Sequence, residues 1–82
     1  MIVWLTYNKE WDDYDVFTVE PRWYKGQQTW DISSRLNHLT LRCLCGIGVC
    51  ALFDTVPEEN ECCEYDLSGP KPKLIETWLP PD

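Results

Sequence analysis

The apolar runs of this chain are short, and residues that prefer turns interrupt them. Ile2 to Tyr7 is β-branched and aromatic and gives way to Asn8-Lys9-Glu10-Trp11-Asp12-Asp13; Tyr14 to Val19 is a second such run, stopped by Pro21. β-Branched and aromatic side chains suit a pleated, half-buried surface, whereas Asn, Asp, Gly and Pro suit turns. The pattern predicts two strands joined as a hairpin by a long acidic loop. Trp4, Tyr7, Trp11 and Tyr14 also fall at the spacing of one helix face. Asn8, Asp12, Asp13 and Asp15 oppose a helix because their short polar side chains compete for backbone hydrogen bonds, and Val3, Thr6, Val16 and Thr18 prefer strands.

Farther on, Arg22-Trp23-Tyr24 and Gln28-Thr29-Trp30-Asp31-Ile32 flank Lys25-Gly26-Gln27, where the glycine can supply the positive φ of a tight turn. A second hairpin is expected there, continuing the first into one meander. Leu36, Leu39, Cys43 and Ile47 recur at helical intervals behind the potential caps Asp31, Ser33 and Ser34, while Leu39 to Cys43 alternates as a strand would. The stretch from Ser34 to Cys45 is therefore a short helix ending before Gly46, or another strand. Gly48 to Val56 and Cys62 to Leu67 read as a further hairpin around the acidic loop Pro57-Glu58-Glu59-Asn60-Glu61, and Leu74 to Leu79 as a last short element stopped by Pro80-Pro81. The expected architecture is α+β and β-rich, an antiparallel sheet of four to six short strands with at most one short helix; an all-β small barrel is the alternative.

With 82 residues, the chain has room for a single small domain, residues 1 to 82, whose core is supported by little buried surface. Its 44% hydrophobic and 26% charged residues are those of a globular chain rather than a disordered one. Fourteen Asp and Glu against seven Lys and Arg give a net charge of −7, and the cations are scattered. Direct binding to nucleic acid is disfavoured, since phosphates require a basic face, and so is an anionic membrane. The first residues lack a basic leader pattern, and the longest uncharged stretch, Cys43 to Phe53, is too short to cross a bilayer. The expected location is cytoplasmic, or the host cytoplasm for a viral protein.

The five cysteines, Cys43, Cys45, Cys50, Cys62 and Cys63, form an odd set with one adjacent pair, which favours thiols in a reducing compartment over a secreted disulfide framework. Cys43, Cys45, Cys50 and Cys62 are candidate zinc ligands, with Cys63 and His38 nearby in kind, but C-x-C followed by an adjacent pair departs from the C-x₂₋₄-C knuckles of zinc domains. Small buried hydrophobes, or a bridge from Cys62 or Cys63 back to the earlier cysteines, are the other readings. Ser34, His38 and Asp31 are neighbours in sequence, whereas a catalytic triad converges from separate elements and needs an oxyanion hole. No phosphate-cradling glycine loop is present. The chain is expected to be no enzyme and to need no cofactor.

What remains is charge and aromatic surface. Glu10, Asp12, Asp13 and Asp15 form one acidic run, with Trp11 and Tyr14 inside it; Glu58, Glu59 and Glu61 lie in a second. The first run lacks the loop glycine and terminal glutamate of an EF-hand. Trp and Tyr flanked by charge are common anchors of protein interfaces. Glu10, Trp11, Asp12, Asp13, Tyr14, Asp15, Glu58, Glu59 and Glu61 are therefore the expected partner-binding residues, and the expected partner is a basic protein surface that normally holds nucleic acid. Very short, acidic and single-domain, the chain resembles in general type the phage-encoded anti-defence proteins, anti-CRISPR and anti-restriction proteins among them, without any shared motif. That likeness implies a non-catalytic inhibitor acting as a nucleic-acid mimic. A zinc-stabilised domain, a subunit of a larger assembly and a homodimer are the competing expectations.

Overall fold

The computed structural model describes residues 1–10, 12–30, 38–40 and 53–81, with the backbone alone described at 38–40. The first run becomes β1 (Ile2–Asn8) and the second β2 (Asp13–Phe17), paired antiparallel from Trp4 opposite Phe17 to Asn8 opposite Asp13. The loop between them spans residues 9–12 and turns at Asp12, whose φ of 49° lies in the left-handed region that Asp tolerates better than most side chains. Short polar side chains set the entry: the Glu10 amide donates to Asn8 Oδ1 at 3.0 Å and the Tyr14 amide to Asp13 Oδ1 at 2.7 Å.

β3 (Trp23–Tyr24) and β4 (Thr29–Trp30) form the expected second hairpin, but as a separate two-stranded sheet rather than a continuation of the meander. Its turn also differs in detail. The left-handed residue is Gln28, at φ 52°, not Gly26, and the Gln28 side chain compensates by donating to the Lys25 carbonyl at 2.7 Å. β5 (His38–Thr40) pairs with β2, so the strand reading holds at those three residues; the rest of Ser34 to Cys45 lies outside the described residues.

β6 (Cys62–Asp66) and β7 (Lys73–Trp78) complete a sheet of order β5-β2-β1-β6-β7. The expected hairpin of Gly48 to Val56 with Cys62 to Leu67 is replaced by other pairings: β6 pairs with β1 on one side and β7 on the other, residues 53–56 are not strand, and residues 48–52 lie outside the described residues. Among the described residues there is no helix, and the sheet is open, with β5 and β7 at its edges, rather than a closed barrel. It follows that no helix among the described residues is long and apolar enough to cross a membrane.

Strand alternation sends side chains to two faces, and directly opposed residues of antiparallel neighbours share one. Val3, Leu5 and Tyr7 of β1 thus lie with Val16 and Tyr14 of β2 and with Tyr65 and Cys63 of β6. Val3, Leu5, Val16, Cys63 and Tyr65 are buried there and form the main core, with Phe53 and Leu67 packed against it. Phe53 meets the Tyr65 ring edge-on at 5.0 Å between centroids, and the Tyr65 hydroxyl donates to the Thr55 carbonyl at 2.7 Å. These contacts lay segment 53–57 across this face and position the acidic loop that follows. Tyr65→Phe is expected to cost about 1 kcal/mol, a typical buried neutral hydrogen bond, read as a lowered midpoint in urea with an unchanged slope.

On the opposite face lie Trp4, Thr6 and Asn8 of β1, Phe17, Asp15 and Asp13 of β2, and Cys62 and Glu64 of β6. This face is covered as well, since Thr6, Asp15, Phe17 and Cys62 are all buried. Part of its cover is the β3–β4 hairpin. Trp30 is buried, its indole packs edge-on against Trp23 at 5.4 Å, and its Nε1 donates to the Asn60 carbonyl at 3.1 Å.

At the β7 edge the pairing skips Ile75: Glu64 faces Glu76 and Tyr65 faces Leu74. One extra residue in a strand is a bulge, which twists the edge away from new partners. Pro70, Lys71, Pro72 and Lys73 precede it, so the edge carries further features that discourage pairing with another sheet.

Candidate functional site

Because β1 runs antiparallel to both β2 and β6, the loop that leaves β1 and the loop that enters β6 lie at one end of the sheet. These are the two acidic runs singled out in the sequence. Lys9 Nζ lies 3.9 Å from Glu59 Oε1, joining loop 9–12 to loop 57–61. Both groups are largely exposed, so the pair contributes little stability and serves here as a marker of proximity. The second loop is built as a tight turn: the Glu61 amide donates to the Glu58 carbonyl at 3.0 Å, the Glu58 amide to Glu61 Oε1 at 2.8 Å, and Asn60 takes a positive φ of 69°. Glu61 is thereby committed to its own turn, which leaves Glu58 and Glu59 as the outward carboxylates.

Between the loops lies a shallow, open depression bordered by Tyr7, Asp12, Tyr14, Val56, Glu58 and Glu59. Tyr7 and Tyr14, directly opposed on β1 and β2, tilt against each other with centroids 5.4 Å apart. The Tyr7 hydroxyl donates to Asp12 Oδ1 at 2.8 Å. That bond first, then desolvation and the nearby charges of Asp12 and Glu59, raise the Tyr7 phenol above its ordinary value. The result is a half-buried aromatic pair rimmed by carboxylates. Half-buried tyrosines present rigid contact area at small entropic cost.

The structure divides the expected site residues. Asp12, Tyr14, Glu58 and Glu59 come together around the depression. Asp13 and Asp15 lie on the other face of the sheet, and Asp15 is 6% exposed, with Asn8 Nδ2 donating to its Oδ2 at 3.3 Å. Asp15 therefore cannot serve on an open acidic surface. Glu10 is exposed, on the same side as Asp15. Trp11 lies outside the described residues. Tyr7, absent from the expected set, is brought in by its pairing with Tyr14.

The chemical alternatives concentrate on cysteine. Cys43, Cys45 and Cys50 lie outside the described residues. Cys62 and Cys63 are buried free thiols, so neither forms the bridge to the earlier cysteines that the sequence left open. As consecutive strand residues they point to opposite faces, so the pair cannot close on one metal ion, and no group of three metal-ligating side chains occurs among the described residues. Burial first, then Cys63, Glu64 and Glu20, push the Cys62 thiol up to about 12, which leaves it a poor nucleophile. Burial is also the main reason the Tyr65 phenol is raised.

These shifts have a consequence for stability. A folded-state pKa above the unfolded one means that the folded chain holds its proton longer, so the stabilisation is complete below the unfolded value and is lost as pH rises through the folded one. For Cys62 the window runs from near 9 to about 12. The urea midpoint is expected to fall progressively across that window, and Cys62→Ala to flatten the decline; native protein at pH 8 should leave both thiols unlabelled by a disulfide reagent until denaturant is added.

Compared with known proteins, the chain matches no family model, no curated protein and no solved structure.

Proposed function

We propose that the chain is a non-catalytic, acidic protein-binding module whose loop end occupies a basic, nucleic-acid-binding surface of a partner protein, in the manner of a phage anti-defence inhibitor. The observation that carries this reading is the meeting of two acidic loops, distant in sequence, around the Tyr7–Tyr14 pair. A solvated loop needs no such convergence. Glu58, Glu59 and Asp12 present exposed carboxylates on one side of an aromatic floor, which supplies both the long-range attraction and the central anchor that a specific interface uses. The charge also opposes direct nucleic-acid binding and favours competition for the same basic surface.

The test is capture from a bacterial lysate on the immobilised protein, at low and high salt and with added duplex DNA. Retained proteins should be basic nucleic-acid binders, released by salt and displaced by the DNA. Retention that is indifferent to salt and to DNA contradicts the reading.

A further inference from the structure

We propose that the cavity between the β3–β4 hairpin and the sheet receives a cationic side chain of the partner, an arginine guanidinium in preference to a lysine ammonium. This rests on the reading above, and it specifies the group that the acidic end recognises. The cavity measures about 350 Å³, at the small end of ligand pockets, which span about 300 to 1,000 Å³. Its walls combine two chemistries. Trp23 and Trp30 provide indole surface; among the described residues, Asp15, Glu10 and Glu59 provide carboxylates and Lys9 an ammonium.

A guanidinium is planar, weakly hydrated and always charged; it stacks on an aromatic face while its fork of N–H groups meets a carboxylate. An ammonium gains less from indole and loses more hydration. The aromatic wall is preset. The Trp30 indole is held by its hydrogen bond to the Asn60 carbonyl, and Trp23 leans edge-on against it. Asp15 lines the cavity as a buried residue, with Asn8 Nδ2 donating to its Oδ2 at 3.3 Å. The exposed carboxylates of Glu10 and Glu59 at the cavity are the ones that a guanidinium reaches from solvent.

The Lys9 ammonium lies 3.9 Å from Glu59 at the cavity, so the chain's own cation already uses the field that a partner's arginine would meet. A more open groove shares Trp23, Gln28, Glu59 and Asn60 with the cavity and continues along Leu79, Pro80 and Pro81, with Lys25 also on its border. That groove gives the segment bearing the arginine a course across the surface.

The experiment is an NMR titration of the indole Nε1–H signals of Trp23 and Trp30 with the peptide acetyl-Gly-Arg-Gly-amide, with its neutral citrulline counterpart and with its lysine counterpart. The arginine peptide should shift both signals saturably and bind about tenfold more tightly than citrulline, the scale of a desolvated cation–π contact with a carboxylate. Lysine should bind more weakly than arginine. Glu59→Gln, on an exposed turn and so no threat to folding, should weaken the arginine peptide severalfold, and Lys9→Met should strengthen it. Citrulline binding as well as arginine, lysine binding as well or better, or the absence of a saturable shift, overturns the proposal. Trp23→Ala separates it from the broader reading: lysate capture that survives Trp23→Ala but fails with Glu58→Lys/Glu59→Lys rejects the pocket and keeps the acidic-surface function.

Discussion

Leu5→Ala is expected to lower the thermal midpoint by about 15 to 25 °C. Leu5 is completely buried at the middle of β1, the central strand, opposite Val16 on one side and Cys63 on the other. Truncating a buried leucine costs about 2 to 5 kcal/mol because transfer energy is lost and a cavity remains, and each kcal/mol moves the midpoint of a domain this size by about 4 to 8 °C. Both faces of this sheet are covered, which leaves β1 no freedom to collapse into the gap. Total stability of small domains starts near 5 kcal/mol, so a sizeable unfolded fraction should be present at room temperature. Ile75→Ala is the control. Ile75 is 49% exposed at the β7 bulge, and its loss should stay near 0.5 kcal/mol, as for other surface sites. Similar melting of the two variants would contradict the assignment of β1 to the core.

The second large effect concerns binding. Glu58→Lys/Glu59→Lys is expected to cut partner retention at low salt by at least about a hundredfold, since like charge placed against a basic surface both removes attraction and adds repulsion. Asp54→Lys/Glu76→Lys makes the same change in net charge, two reversals taking −7 to −3. Asp54 pairs with Lys71 at 3.9 Å and Glu76 is exposed on β7, both outside the Tyr7–Tyr14 depression. This control should reduce retention far less. The difference between the two variants isolates position from net charge.

The sequence made the strands legible where local chemistry decides them. β1 and β2 carry β-branched and aromatic residues bounded by Asn and Asp, and their hairpin formed close to the expected bounds. β6 was legible for the same reason. Its partners were not, because pairing β6 with β1 joins residues about 60 apart in sequence, a contact no local pattern encodes. That same pairing brings Glu58 and Glu59 to Asp12, so the site's existence as one surface could not be read from either loop alone. Asp15 shows a different limit. Its alternation with Tyr14 is visible in the sequence and puts the two on opposite faces, but an acidic residue normally marks a solvated face, and its burial depends on the long-range packing that covers that face. A change of Asp12, Asp13 and Asp15 together would therefore disturb folding as well as charge. Trp23 and Trp30 were recognisable as flanks of one turn; their standing as a cavity wall depends on the docking of the hairpin through Asn60, again a long-range contact. The turn itself placed its left-handed residue at Gln28 although Gly26 was at hand, because the four-residue loop fixes which position must bend.

The proposed recognition of a basic protein surface rests on the convergent acidic loops rather than on overall charge. The most direct measurement is lysate retention on the immobilised chain, comparing Glu58→Lys/Glu59→Lys with Asp54→Lys/Glu76→Lys at matched folding. Loss of the salt-sensitive, DNA-displaceable proteins with the first variant and their retention with the second is the predicted result. Equal retention by both variants would contradict the claim.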